Sequence, residues 1–126
     1  MPTPKPAKNL HVYEMQAEIC AALANPIRLR ILDILSEGER TNSELLEILG
    51  IPKPNLSQHL SVLKDAGIIT SRKEGLFQYV SVAIPQVKDA CSIIRGVLFE
   101  RLSTRDRMTR ELRRELASRT DGKRKA

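Results

Sequence analysis

The sequence predicts a mainly α fold with one small β-hairpin, a fold of the α+β class. Two patterns lead to this prediction. Apolar residues recur at helical spacing over most of the chain, and a β-rich run with a glycine near its centre occupies residues 68–82. The chain has 126 residues, of which 41% are hydrophobic, so it holds enough apolar material for the core of one domain of ordinary size.

Two helices are predicted in the N-terminal third of the chain. Val12, Met15 and Ile19 recur at helical spacing and predict a first helix from about His11 to Ala24. The pair Asn25-Pro26 then predicts the start of a second helix, because asparagine is a good N-cap and proline suits the first helical turn.

Two further helices are predicted on either side of a three-residue connection, Gly50-Ile51-Pro52. Thr41 and Glu44 form a capping-box pattern that begins the earlier, shorter helix. The later helix runs from about Lys53 to Ala66, and its face opposite the apolar residues is small and polar. Its apolar residues form one stripe, consisting of Leu56, Leu60 and Leu63.

A hairpin and a long last helix complete the predicted elements. The β-rich run turns at Glu74-Gly75, and we expect Arg72 and Lys73 to lie at its tip. The last helix begins at Pro85 and extends to about Ser118. One apolar face follows most of this helix and is interrupted by two arginines.

The third and fourth helices together have the features of a helix-turn-helix. A recognition helix enters a major groove about 12 Å wide, which favours short hydrogen-bonding side chains on its exposed face. The hairpin that follows supplies the wing, where Arg72 and Lys73 reach phosphates or the minor groove. An amphipathic helix pair alone indicates only packing, but this order of elements favours a winged helix-turn-helix.

The run from Leu23 to Val82 resembles the arsenic-repressor (ArsR) family of bacterial winged-helix regulators. The resemblance is densest in the segments 24–32, 56–63 and 66–69. It implies a homodimer that pairs through the first and last helices and binds a two-fold, double-stranded DNA operator. It also implies repression of transcription until an effector binds.

The resemblance also implies which residues contact DNA. Position by position, the groove-facing set is Lys53, Asn55, Ser57, Gln58 and Ser61, with Arg72 and Lys73 on the wing. His59 belongs to the Ser-x-His-Leu motif of the family, but it lies at the edge of the apolar stripe of its helix. We therefore expect His59 to be a buried or capping histidine and not a base-reading one.

The net charge of +6 lies at the C-terminal end. Residues 101–126 contain ten basic and four acidic residues, whereas the first hundred residues are balanced. We expect a disordered Pro-rich N-terminus (1–10), a winged helix-turn-helix DNA-binding and dimerisation domain (11–102), and a basic helical extension with a disordered tail (103–126). The basic extension has three alternative contacts: DNA phosphates, a second copy of the chain, or solvent alone.

The effector is predicted to act at Cys20 and Cys91, on the first and last helices. Family members often bind soft metals through cysteine pairs on the third helix, but here residues 41–46 contain no such ligand. Other family members bind metals through Asp and His ligands on the last helix. Here the Asp-x-His pattern is only approximated by Asp89-Ala90-Cys91, so we predict no metal site of that kind. A thiol redox change, a persulfide from sulfane sulfur, or a bound metalloid remain as effectors; the alternative is two buried thiols that only pack.

These observations predict a sequence-specific, DNA-binding transcriptional regulator, a repressor that an effector releases from its operator. The alternatives are a winged-helix protein-interaction module and a constitutive DNA-binding regulator without a small-molecule effector. An enzyme is not predicted, because the chain has two histidines, no glycine-rich phosphate loop and no nucleophile elbow.

The sequence predicts a cytoplasmic protein without membrane contact. No apolar stretch approaches the roughly 18 residues that a membrane span needs, and no apolar run follows the N-terminal lysines as it would in a secretory signal. In a reducing compartment the two cysteines are expected to remain thiols.

Overall fold

The computed structural model describes the backbone of residues 6–125 and the side chains of residues 10–118. It confirms a mainly helical α+β fold with one hairpin. The described chain forms two compact units, which divide between Lys88 and Asp89. The elements are α1 (Pro6–Leu23), α2 (Pro26–Leu35), β1 (Arg40–Thr41), α3 (Asn42–Leu49), α4 (Lys53–Asp65), β2 (Ile69–Glu74), β3 (Phe77–Val82) and α5 (Gln86–Lys125).

The ends of the first and last helices differ from the prediction. Helix α1 begins at Pro6, so residues 6–10 are helical, although they were expected to be disordered. Proline is tolerated in the first turn, where its missing N–H would have no helical partner. Helix α5 continues to Lys125, about one to two turns beyond the predicted end. The remaining residues of both predicted disordered segments, 1–5 and 126, lie outside the described residues.

The predicted caps of α2 and α3 are confirmed. The Asn25 side-chain oxygen accepts hydrogen bonds from the backbone N–H groups of Ile27 and Arg28, at 2.9 and 3.2 Å. The Thr41 hydroxyl accepts from the Glu44 backbone N–H at 3.1 Å. These bonds satisfy donors that the first turn of a helix otherwise leaves unpaired, so the two helices begin at defined residues.

The core of the first unit lies between α2, α3, α4 and the sheet. The stripe on α4 is buried as predicted, and α4 packs against α1, α2 and β2. Because α4 buries this stripe, its opposite face is left at the surface. The fully buried large residues are Ile31, Leu45, Leu56, Leu63, Ile68 and Val80.

The sheet has three antiparallel strands in the order β1-β3-β2. The hairpin of β2 and β3 is confirmed, but β1 was not predicted because two residues carry no readable periodicity. In β1, Thr41 pairs with Tyr79 of β3, and the same Thr41 caps α3. The sheet that contains the wing is therefore joined directly to the start of α3, the first helix of the helix-turn-helix.

The second unit consists of the greater part of α5. Its apolar residues at positions 94, 98, 108, 112 and 116 are exposed. None of the helices in the described part of the chain combines the length and apolarity that crossing a bilayer demands.

Replacing Leu63 with alanine tests the core. Leu63 is fully buried, so L63A is expected to lower the free energy of unfolding by about 2–5 kcal/mol, measured by urea denaturation. Leu76 is 97% exposed and provides the matched control, since L76A should change stability by less than about 0.5 kcal/mol. Equal losses in the two variants would contradict the described core.

Candidate nucleic-acid interface

Helix α4 presents one polar face to the surface. All five predicted groove-facing side chains are exposed: three lie on the face away from the buried leucine stripe, and Lys53 and Asn55 lie in the first turn. The five residues are Lys53, Asn55, Ser57, Gln58 and Ser61. No side chain caps the N-terminus of α4, where Pro52 is the N-cap, and Lys53 lies in the first turn. The positive end of the helix dipole and a lysine thus lie together, an arrangement that favours an anionic group.

The guanidinium group of Arg28, on α2, connects α4 to α1. Arg28 Nη1 lies 3.3 Å from Nδ1 of His59, which is half-buried on α4. Arg28 also donates from Nε to the Ala22 carbonyl at 2.7 Å and from Nη2 to the Ala21 carbonyl at 3.3 Å. Because a guanidinium has no acceptor, His59 Nδ1 is the acceptor in this contact. His59 therefore belongs to the packing of α4 and not to its exposed face.

The role of Arg28 was missed in the sequence, although a signal for it exists. The last carbonyls of a helix have no partners within that helix. Ala21 and Ala22 lie in the last turn of α1, and Arg28 follows in the first turn of α2. An arginine so placed has enough donors to satisfy these carbonyls and still reach a third element. Sequence spacing alone does not reveal that this third element is α4.

The wing differs from the prediction in the position of its basic residues. Arg72 and Lys73 lie on β2, opposite Tyr79 and Gln78, and not at the tip. The strand continues past them to Glu74, so Gly75 and Leu76 form the turn. Gly75 has a φ of 63°, a left-handed conformation that glycine adopts without strain.

The charge of Arg72 is engaged within the protein. Its guanidinium donates to Glu74 and, at 2.7 Å, to Oε1 of Glu39, and it lies 4.6 Å from the centre of the Tyr79 ring. The hydrogen bonds to Glu74 and then to Glu39 raise the pKa of Arg72 above its ordinary value. Lys73 is exposed and makes no ion pair within the described residues. The wing therefore offers one unpaired cation and one neutralised one.

The tip of the wing is apolar. Leu76 is almost fully exposed, and Phe77 beside it is more than half exposed. The Phe77 ring makes an edge contact with Tyr79, with the ring centres 6.5 Å apart. Sequence reasoning placed cations at this point because it located the turn by Gly75 but did not fix the strand register.

The two cysteines are free thiols in different surroundings. Cys20, on α1, is exposed in the single chain. Cys91, on α5, is half-buried, and this burial raises the pKa of its thiol, with Arg95 acting in the opposite direction. Among the side chains that the structure describes, no three histidine, cysteine or acidic groups come together as ligands for a metal ion.

Comparison with known proteins identifies the family. Residues 25–71 match the model of the arsR family of bacterial regulatory proteins. The chain is also 38% identical over 103 residues to Rv0081, an uncharacterised HTH-type transcriptional regulator of Mycobacterium tuberculosis; the match covers 81% of this chain and 90% of the relative. The chain belongs to the ArsR family. It is a DNA-binding transcriptional regulator and not an enzyme, as predicted.

Solved structures of the ArsR family share this fold. The crystal structure of Rv0081 superposes with a TM-score of 0.69 at 39% identity, covering 75% of this chain and 95% of that one. The solution structure of Mb0332 from Mycobacterium bovis, a homodimeric winged helix-turn-helix DNA-binding domain, gives 0.68 at 31% identity, covering 80% and 92%. A probable mercury resistance operon repressor of Streptomyces lividans is 37% identical over 94 residues, 75% of each chain. The winged helix-turn-helix prediction is confirmed.

Replacing Arg28 tests the link between α1, α2 and α4. R28Q removes part-buried, charge-assisted hydrogen bonds and should lower the free energy of unfolding by about 1–3 kcal/mol, measured by urea denaturation. R30Q is the matched control, because Arg30 makes an exposed contact of 3.5 Å to the Ile48 carbonyl. That control should change stability by less than about 0.5 kcal/mol. An R28Q variant as stable as R30Q would show that the link contributes nothing.

Proposed function

We propose that this ArsR-family protein is a homodimeric repressor that binds a two-fold DNA operator through α4 and the wing. The observation that carries the proposal is the exposed row of short polar side chains on α4, opposite its buried leucine stripe. Two relatives support it, since the Streptomyces lividans protein is named a probable repressor and the Mycobacterium bovis domain is homodimeric. Two copies related by a two-fold axis read two half-sites about one helical turn apart.

The residues of α4 have chemically distinct roles in this proposal. Asn55 and Gln58 carry amides, which pair in bidentate fashion with adenine in the major groove. Ser57 and Ser61 donate to or accept from base edges and are short enough for the backbone of α4 to approach the groove closely. Lys53, beside the positive end of the helix dipole, binds a phosphate and fixes the register.

The two basic residues of the wing contribute differently. Lys73 is exposed and unpaired within the described residues, so it binds a phosphate directly. Arg72 already contacts Glu39 and Glu74, and it maintains the shape of the wing as well as adding positive potential near the DNA. The apolar tip at Leu76 reaches the minor groove, where apolar side chains of other proteins contact base steps.

The effector, in this proposal, acts on the thiols of Cys20 and Cys91. An oxidant, sulfane sulfur or a metalloid modifies these cysteines and weakens DNA binding. Attack requires the thiolate, and burial raises the pKa of Cys91, so less of its thiolate is present near neutral pH. The exposed Cys20 is therefore the first to react.

Replacing Gln58 with alanine tests base reading by α4. The operator is first selected from random duplexes with the original chain. Q58A should then lose about 1–3 kcal/mol of its preference for one base pair of that operator. The preference is measured by competition binding with operator variants that differ at a single base pair. Q86A is the matched control, because Gln86 is exposed at the start of α5, and it should retain the full preference. Selection that enriches no two-fold sequence would overturn the proposed function itself.

Serine variants test the thiol response. In the unmodified chain, a mild oxidant or sulfane sulfur should weaken operator binding, measured by fluorescence anisotropy. C20S should slow this loss more than C91S, because burial raises the pKa of the Cys91 thiol and lowers its reactivity at pH 7. The double variant should not respond, and a double variant that responds like the original chain would exclude both cysteines as the effector site.

A further inference from the structure

The winged domain carries little of the charge that DNA binding requires. The first hundred residues have as many acidic as basic residues, and Arg72 on the wing is engaged by two carboxylates. Affinity for duplex DNA that is independent of sequence comes mainly from lysine and arginine side chains that neutralise phosphates. The net charge of +6 comes from residues 101–126, so α5 carries the excess of cations that could add to the phosphate contacts of Lys53 and Lys73.

We propose that the C-terminal part of α5 is a second DNA-contacting surface, which binds the phosphates of the duplex without reading its sequence. The proposal rests on the proposed function, because it takes duplex DNA as the partner. The contact is made by four arginines, which we call the basic face: Arg107, Arg110, Arg113 and Arg114.

The helix separates these arginines from its apolar residues. At about 100° per residue, the basic face falls within an arc of about 120°. Met108, Leu112 and Leu116 lie on the opposite side of α5. All four arginines are exposed. Such a division gives α5 one charged side and one apolar side, whereas a helix that is merely solvated has no need to sort its residues in this way.

No carboxylate within residues 10–118 forms an ion pair with the guanidinium groups of the basic face. Arg110 donates from Nε to the Asp106 backbone carbonyl at 3.4 Å, a long contact that leaves its charge uncompensated. The Asp106 carboxylate lies on the same side of the helix and offsets one of the four charges. Glu115 lies beside the apolar residues, and Glu111 lies at the border between the two sides, between Arg107 and Met108.

The dimensions of the basic face suit a phosphate backbone. From Arg107 to Arg114 the helix rises about 10 Å at 1.5 Å per residue. Along one strand of a duplex, phosphates follow one another every 3.4 Å of helix axis, so this length corresponds to about three phosphates. A second copy of the chain does not fit this face, because it would bring a like-charged surface against it.

A pair of charge-matched variants tests the proposal in the full-length chain. R110Q/R114Q removes two charges from the basic face, and glutamine preserves helix propensity. R30Q/R40Q removes the same net charge from the winged domain. Binding to the selected operator and to a scrambled duplex of equal length is measured by fluorescence anisotropy from 50 to 300 mM salt, a range in which counterion release dominates the change in affinity.

The basic-face variant should bind the scrambled duplex at least about tenfold more weakly at low salt. Its slope of log K against log salt should fall in magnitude by about 0.9 for each phosphate that is no longer neutralised, close to two units for each subunit and about 3.6 for the dimer. The ratio of operator to scrambled affinity should change little, because no base-reading side chain is altered. The R30Q/R40Q control should keep the slope of the original chain.

Three results would overturn the proposal. The first is an unchanged slope in R110Q/R114Q, which would leave an acidic protein as the partner of this face. The second is an equal fall in both variants, which would attribute the effect to net charge alone. The third is a fall that arises only from dissociation of the dimer, seen by sedimentation. A full-length chain that shows the expected slope but no operator preference would instead contradict the proposed function and leave this inference standing.

Discussion

The burial of one leucine stripe on α4 is the constraint on which the rest of the structure depends. Leu56 and Leu63 are buried against side chains from the other helices and the sheet, so the rotation of α4 about its own axis is fixed by packing. The polar residues on the other side are thereby fixed at the surface. The same hydrophobic burial that stabilises the fold also decides which side chains of α4 are available to a nucleic acid.

Much of the fold could be predicted from local sequence patterns, namely helix caps and the helical spacing of apolar residues. Asn25 and Thr41 are good caps in any context, and the leucines of α4 repeat with the helical period, so the corresponding elements were predicted close to their observed ends. What local patterns do not contain is register and long-range pairing. The position of Arg72 relative to the turn depends on strand pairing, and the contact of Arg28 with His59 joins residues 31 positions apart. The position of Arg72 and the contact between Arg28 and His59 can therefore be seen only in the three-dimensional structure.

The charge of this protein is distributed so that specificity and attraction can reside in different elements. The polar side chains on α4 that we propose to face a groove are mostly uncharged, and the wing neutralises its own arginine. Uncharged hydrogen-bonding groups discriminate between bases, whereas unpaired cations attract any duplex. In this proposal the basic face of α5 supplies that attraction. In such a regulator, one set of residues determines the affinity for DNA of any sequence, and a separate set determines the preference for the operator.

The double role of Thr41 has a further consequence for DNA shape. Since Thr41 belongs to the sheet through Tyr79 and to α3 through its cap, the hairpin is tied to the first helix of the helix-turn-helix. In the proposed complex, this tie restricts the spacing between the major-groove contact and the adjacent minor groove. An operator whose groove widths match that spacing would bind without deformation, and another would incur an elastic cost even where every contacted base is correct.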